Sequence, residues 1–320
     1  MRQLLIWEMN VECHHCSALH WMDEHIRKFS PSNPEFGMCC QHGKVVLPPA
    51  QHPPDELYHL FVDETMQAQN FHNNIVQYNL AFAFISLGVQ MDPFLCSHGP
   101  PIFCIHGQLK HKIGSLLPIE GHSPTYAQLY IQDPLAAVDY HMAKNPNLHQ
   151  DTMQLLQDVI SHNDSYAGLY LHTYEILEHY NAPNYSLHLH IAPGQSIHTH
   201  NLPTVDEVAV IIPNENTYHD HHDIVLTLCD QEGNYHPVLQ CISEGHTAYG
   251  PLQYVLLFPF GEPGWHWDMT LTSGKHMSLC QYMSYHLYSQ ASEFSTILHS
   301  YHLLQYYTVD MFTAIDAGHL

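Results

Sequence analysis

A continuous run of core-forming residues between positions 71 and 118 constrains the fold of this chain more than any other stretch. Apolar residues in its first part recur at the three-and-four spacing of one helix face: Phe71, Ile75, Tyr78, Phe82 and Ile85. Gly88 then offers a left-handed C-cap. Residues 102–105 are short, apolar and β-prone, and Gly107 offers a turn after them. The run therefore predicts a buried helix followed by strand structure.

The remaining segments extend this pattern to an α+β protein. Helices are predicted after Pro53-Pro54, over 149–180 with a break near Asp164, and from Ser278 onward. Strands are predicted over 126–131, 185–191, 208–212, 223–228 and 235–242. We therefore expect a zinc-knuckle-like module over 1–50, a mixed middle over 51–200, a β-rich segment over 201–277 and helices over 278–320. No apolar run is long enough for a membrane span.

Four of the nine cysteines lie within the first 50 residues and predict a structural zinc site. Cys13 and Cys16 form a CxxC knuckle, which places two thiolates on one side of a tight turn. Cys39 and Cys40 supply a second pair. Because neighbouring side chains in an extended segment point apart, the fourth ligand is left open between Cys40, His42 and His15. The alternative is four reduced thiols without metal, and a disulfide framework is not expected.

Six further ordered blocks accompany the long run. They lie at 13–24 (CxxCxALHWMDE), 39–49 (CCxxGKVxLPP), 127–133 (AQLYIxD), 202–213 (LPTVDEVAVIIP), 251–266 (PLQYxLLFPFGExGWH) and 305–316 (QYYTVDMFTAID). Together with NxIxxYNxAFAFxSLGVxxD and IHGQLxHxIGSLLP in the long run, these blocks resemble the N-terminal region of the replicase-helicase proteins of Helitron rolling-circle transposons. The resemblance covers nearly the whole chain, and its pattern includes both cysteine pairs.

The charge balance departs from what the resemblance implies for a DNA-binding protein. The chain has 31 acidic residues, 8 basic residues and 32 histidines, with a formal net charge of -23. Scattered histidines could serve metal storage or pH sensing. However, many sites where the resemblance implies arginine hold residues that one cytosine deamination in a CGN codon produces. These sites are His25, His72, Cys104, His222, Cys241, His286, Gln290, His302 and His319. We therefore expect a mutationally decayed transposon copy.

The resemblance implies a truncated, non-catalytic fragment of a Helitron transposase, whose ancestral role was to bind and position DNA. It further implies a zinc cofactor, DNA binding weakened by loss of arginine, and a nuclear location for an expressed protein. The resemblance also implies that the nuclease motifs of the parent protein lie C-terminal to the residues of this chain. The sequence also contains no GxxxxGK[ST] phosphate-binding loop for a helicase motor.

An alternative function rests on the His188-Leu189-His190 pair in a predicted strand. Side-chain alternation places both imidazoles on one face, where they could hold a divalent metal beside a nucleophilic tyrosine such as Tyr174. This arrangement would suit a metal-dependent single-strand DNA nickase. With 32 histidines in the chain, such pairs arise easily by composition, and His198-Thr199-His200 is another. We therefore prefer the non-catalytic interpretation, with no catalytic residues.

Overall fold

The computed structural model describes residues 9–87, 111–113, 134–168, 171, 185–189, 209–213, 224–226, 240–242 and 245–317. These residues combine helices with short strands, so the predicted α+β class is confirmed. They form two compact units. The first comprises the described residues of Met1–Asp63 and Trp265–Leu320, and the second those of Glu64–Gly264. These units are defined by spatial contacts and combine segments that are distant in sequence. They therefore do not test the four predicted sequence segments, which stay a prediction.

Short strands and helices of very different length alternate along the chain. In chain order they are β1 (Val11–Glu12), β2 (Leu19–His20), a 3-10 turn (Met22–Glu24), α1 (Asp55–Val62), α2 (Met66–Phe82), β3 (Ser86–Leu87), β4 (His111–Ile113), α3 (Pro134–Lys144), α4 (Gln150–Asn163), β5 (Tyr185–Leu189), β6 (Ala209–Pro213), β7 (Ile224–Leu226), β8 (Gln240–Ile242), α5 (Tyr249–Gln253), α6 (Leu279–His286) and α7 (His302–Ala317).

Helix α1 of the first unit begins where the sequence predicts. Pro54 precedes it, and Asp55 and Glu56 place negative charge in its first turn, where the helix dipole favours anions. Its inward face buries Leu57, Leu60 and Phe61. The Phe61 ring packs against Phe294 from the C-terminal segment, with ring centroids 6.0 Å apart. The first unit is thus built from both ends of the described chain.

Helices α6 and α7 confirm most of the helical prediction for the C-terminal segment. Ser278 caps α6 reciprocally: its hydroxyl accepts from the Gln281 backbone at 3.3 Å, and its own backbone N–H donates to the Gln281 side chain at 2.8 Å. Between the two helices, residues 294–298 do not continue the predicted helix. Residues 294–295 have no regular secondary structure, and residues 296–298 form turns.

Helix α2 is the central element of the second unit. Thr65 caps it by accepting a hydrogen bond from the Ala68 backbone at 3.1 Å. The predicted face is buried: Phe71, Ile75, Tyr78 and Phe82. Ile85 is buried too, but its inclusion in the helix is wrong, because the helix ends at Phe82 and Ala83, with ψ of 134°, is no longer helical. Gly88 and residues 102–105 lie outside the described residues.

A buried amide fastens α2 to the segment that follows α5. Asn79 lies in the middle of the apolar face, and its side chain donates to the Gln253 carbonyl at 2.8 Å. Its amide oxygen accepts from the Leu256 backbone at 3.2 Å. Since a buried polar group without partners is costly, these two bonds make Asn79 compatible with the core around it. They also fix the position of residues 254–258, which are buried.

Helix α4 supplies the second layer of this core. Met153, Leu156 and Ile160 are fully buried along one face, as predicted, and the helix ends at the predicted break at Asp164. Helical structure resumes over residues 165–168. The rest of the second predicted helical piece, apart from the helical residue 171, lies outside the described residues.

The strands of the second unit form two three-stranded antiparallel sheets. One has the order β3-β4-β8, and the other has the order β6-β5-β7 with β5 in the centre. The strands predicted over 185–191, 208–212 and 223–228 correspond to β5, β6 and β7. The strand predicted over 126–131 lies outside the described residues. No described helix combines the length and apolar character that a membrane crossing requires.

Candidate metal centre

The first cysteine pair lies in the turn between β1 and β2. Antiparallel pairing of these strands places Glu12 opposite Leu19. The turn is closed by two backbone hydrogen bonds, from Cys13 N–H to the Ala18 carbonyl at 2.8 Å and from Ser17 N–H to the Cys13 carbonyl at 2.9 Å. Ser17 adopts a left-handed conformation with φ of 58°, which reverses the chain. The short hairpin therefore directs both thiols of the CxxC pair to one side.

The second pair lies in a tight turn rather than an extended segment. The N–H of Gln41 donates to the Gly37 carbonyl at 3.1 Å, and Val45 N–H donates to the Cys40 carbonyl at 3.0 Å. Gln41, His42 and Gly43 have positive φ angles of 51°, 57° and 75°. The expectation that adjacent side chains point apart does not apply, because this turn brings the Cys39 and Cys40 sulfurs together.

The four predicted cysteines meet in one cluster. The Sγ atoms of Cys13, Cys16, Cys39 and Cys40 all lie within 4.8 Å of one another, and all four residues are free thiols. Cys40 Sγ lies 3.8 Å from both Cys13 Sγ and Cys39 Sγ. A zinc–sulfur bond of about 2.3 Å puts the sulfurs of a tetrahedral site about 3.8 Å apart. The cluster could therefore hold a metal ion, as a knuckle-like module would.

The electrostatics of the cluster favour one thiolate and oppose more. Hydrogen bonds from the Cys16 and Cys39 thiols lower the pKa of Cys13, against the opposing effect of burial. Donation to Cys13 raises the pKa of Cys16 to about 12, and it also raises the pKa of Cys39. Several thiolates can coexist in this volume only with a compensating cation, since a bound metal deprotonates its thiol ligands.

Groups around the cluster orient the thiols. Gly43 N–H donates to Cys40 Sγ at 3.2 Å, the kind of outer contact that fixes a metal ligand. The Gln281 side chain of α6 donates to the Gln41 amide oxygen at 2.9 Å. Burial raises the pKa of Tyr285 to about 12, helped by the nearby Glu293 and, to a lesser extent, by three of the cysteines. Helix α6 thus lies beside the cysteine cluster.

Backbone contacts with the C-terminal segment hold both turns in place. Leu19 N–H donates to the Ser289 carbonyl at 2.8 Å, and Ala291 N–H donates to the Ser17 carbonyl at 3.0 Å. On the second turn, Thr272 N–H donates to the Lys44 carbonyl at 3.0 Å. The cluster is therefore part of a larger folded unit and not an isolated loop.

His15 and His42, the alternative fourth ligands, belong to a second group of side chains that is separate from the cysteine cluster. His15 and His42 approach Glu35, with His15 Nε2 3.3 Å and His42 Nδ1 3.5 Å from Glu35 Oε2. These three residues form a second group whose donor atoms lie within 4.8 Å of one another. Glu35 had no recognisable signal in the sequence, because it stands alone between two proline- and glycine-containing turns.

The histidine pair of the alternative nickase is only partly described. His188 lies on β5, where its backbone is placed opposite Val210 of β6 and Val225 of β7. His190 and Tyr174 lie outside the described residues. The nickase therefore stays a prediction.

Comparison with known proteins adds no family assignment. No protein-family model matches the sequence, and no curated protein matches it.

Proposed function

We propose that this chain is a non-catalytic, zinc-stabilised DNA-positioning region of the Helitron transposase type, whose DNA affinity has been weakened by loss of arginine. The observation that carries the proposal is the convergence of Cys13, Cys16, Cys39 and Cys40, whose Sγ atoms lie within 4.8 Å of one another, two of the distances being the 3.8 Å of a tetrahedral sulfur site. The ordered sequence blocks that resemble Helitron proteins supply the DNA-related part. The proposed location of the protein is the nucleus.

Zinc is the metal that this donor set favours. Four thiolates in a tetrahedron are typical of structural zinc or of iron–sulfur clusters, and zinc needs no inorganic sulfide. A site with four protein ligands has no open position for substrate, so its role is to stabilise the fold. Cys13, Cys39 and Cys40 are buried, which excludes water from the ligands. The site therefore supports a positioning role and not hydrolysis.

Loss of arginine is supported by the state of Gln290. This residue occupies one of the sites where the resemblance implies arginine, and its side chain is buried. Neither its amide nitrogen nor its amide oxygen has a hydrogen-bond partner among the described residues. Buried polar groups in folded proteins are nearly always paired. An unpaired amide is what a substitution leaves when its surroundings have not adapted to it.

Cobalt substitution tests the sulfur site. We expect the full chain, refolded with Co²⁺, to show an intense thiolate-to-cobalt charge-transfer band that added Zn²⁺ abolishes by displacement. Cys39→Ser should lose most of this band because the site then lacks one thiolate. The matched control is Cys280→Ser, since Cys280 is exposed on α6 and outside the cluster. A wild-type chain without the band, or an unchanged band in Cys39→Ser, would contradict the zinc site.

A binding assay with single-stranded DNA tests the weakened affinity. At pH 7.5 we expect negligible retention of a labelled oligonucleotide, because phosphate neutralisation by Lys and Arg dominates DNA affinity and the formal net charge is -23. Retention should increase near pH 5.5, where protonated histidines add positive charge. Raising the salt concentration should remove this gain. Tight, salt-resistant binding at pH 7.5 would be incompatible with the loss of affinity.

A further inference from the structure

A second group of metal-ligand side chains lies on the exposed side of the two cysteine turns. His15 stands between the two cysteines of the first turn, His42 follows Cys40 in the second, and Glu35 lies between the turns in sequence. The side chains of His15 and His42 are 36% and 44% exposed, and that of Glu35 is 20% exposed. An ion from solvent can therefore reach all three, whereas the thiol cluster is mostly buried.

The distances in this group are long for ion pairs, although His15 Nε2 remains within hydrogen-bond range of Glu35 Oε2, and they are compatible with shared metal ligation. Both imidazole nitrogens face the same carboxylate oxygen, Glu35 Oε2, at 3.3 and 3.5 Å. A charge-assisted N–H···O hydrogen bond would be about 2.7–2.9 Å long. Metal–ligand bonds of about 2.0–2.1 Å put the ligand atoms of a tetrahedral site about 3.3–3.4 Å apart. The two nitrogen-to-oxygen distances are therefore close to those of neighbouring ligands around one ion, and all three ligand atoms lie within 4.8 Å of one another.

Backbone geometry reserves space for the two imidazoles. A Cβ atom at Gly43, which has φ of 75°, would lie 3.2 Å from Nδ1 of His15. A Cβ atom at Gly37 would lie 3.3 Å from Nε2 of His42. The His15 and His42 rings are nearly perpendicular, with centroids 6.4 Å apart. The turns that gather the thiols thus also hold both imidazoles against the carboxylate.

We propose that His15, Glu35 and His42 form a second divalent-cation site, distinct from the thiol cluster. Two histidines and one carboxylate are a donor set that zinc accepts, and three protein ligands leave one position for water or an anionic oxygen. The site rests on the proposed function in one respect: a metal-bound thiol cluster fixes the turns that carry the histidines. It differs from the thiol site in being open and in lacking sulfur.

The second site is tested by measuring both the metal content and the cobalt spectrum of the full chain. Wild-type protein dialysed against Co²⁺ and analysed for total metal should hold one ion more than the His15→Ala/His42→Ala variant. Both proteins should show the same thiolate-to-cobalt band, because nitrogen and oxygen ligands do not contribute to it. The matched control is His14→Ala, which removes an exposed neighbouring imidazole outside the group and should match wild type in metal content.

The comparison among variants tests the thiol site and the second cation site separately. It also corrects for Co²⁺ bound by the other histidines of the chain. Equal metal content in the double variant and in His14→Ala, with the band present in both, would overturn the second site alone. Absence of the band from all three proteins would overturn the thiol site. Glu35→Gln gives an independent check, because it keeps the side-chain size but removes the charged ligand. It should also lose one ion, and full retention of metal in this variant would count against the site.

Discussion

Cys13→Ser is expected to release the metal from the thiol cluster and to destabilise the first unit by several kcal/mol. A structural zinc site contributes about 10–16 kcal/mol of apparent binding free energy in small zinc peptides, and this energy is folding free energy. The first unit also has its own apolar core around Leu57 and Phe61, so we expect a partial loss and not complete unfolding. The measurement is thermal unfolding with metal analysis.

Treatment with a chelator separates metal loss from the local effect of the substitution. A serine hydroxyl buried without a partner costs about 1–3 kcal/mol by itself. The chelator should lower the melting temperature of wild type toward that of Cys13→Ser, and it should leave the variant unchanged. Cys280→Ser should respond to the chelator as wild type does, because its thiol is exposed and outside the cluster. A wild type that is insensitive to chelation would refute a structural metal.

Helix positions in this protein could be predicted from local sequence because their signals are local. Pro54 with its acidic neighbours marks the start of α1, and Ser278 with Gln281 marks the start of α6. The three-and-four spacing identifies the buried face of α2. It also includes Ile85 wrongly, because burial alone does not distinguish a helix residue from one in the extended segment after the helix.

The pairing of strands could be predicted less well from the sequence than the positions of helices. The predicted strands over 223–228 and 235–242 follow each other in the sequence, and consecutive strands commonly pair. In the described residues, β8 instead pairs with β4, about 130 residues earlier, and β7 pairs with β5. Alternation of apolar residues indicates that a strand exists, but the choice of partner depends on the packing of the whole sheet.

The metal centre could be predicted only in part, because one cysteine pair has a local sequence signal and the other pair does not. The CxxC spacing identifies Cys13 and Cys16 because both ligands come from one turn. The convergence of Cys39 with Cys40 depends on three consecutive positive φ angles at Gln41, His42 and Gly43, of which only the glycine has a sequence signal. Non-glycine residues in this conformation are unusual, so no spacing rule anticipates them.

The second large effect is expected from two carboxyl groups in the second unit, the buried Asp164 and the half-buried Glu262. Asp164 ends α4, where its Oδ1 accepts hydrogen bonds from the Tyr166 and Ala167 backbones at 2.7 and 3.1 Å. Its Oδ2 is buried without a hydrogen-bond partner among the described residues. Burial, together with the nearby charge of Glu262, raises the pKa of Asp164 to about 7. Burial likewise raises the pKa of Glu262 to about 7.

This shift makes the protein less stable as pH increases. Because the folded state holds the Asp164 proton up to about pH 7 while the unfolded state releases it near pH 4, the folded state binds more protons between these values. The stabilisation is fully present below pH 4 and is lost as pH rises through 7. For Asp164 alone, the loss is on the order of 4 kcal/mol, and Glu262 acts in the same direction.

Asp164→Asn should flatten this pH dependence, because asparagine keeps the oxygen that accepts the two backbone hydrogen bonds and cannot ionise. Between pH 5 and 8, we expect the free energy of denaturant unfolding to decrease more, or to increase less, with pH in wild type than in Asp164→Asn. Asp139→Asn, at an exposed carboxylate on α3, serves as the control, since it retains every histidine that titrates in the same range. If Asp164→Asn and Asp139→Asn show the same slope, the carboxyl of Asp164 is ionised throughout this range, and the apolar packing around it tolerates the charge.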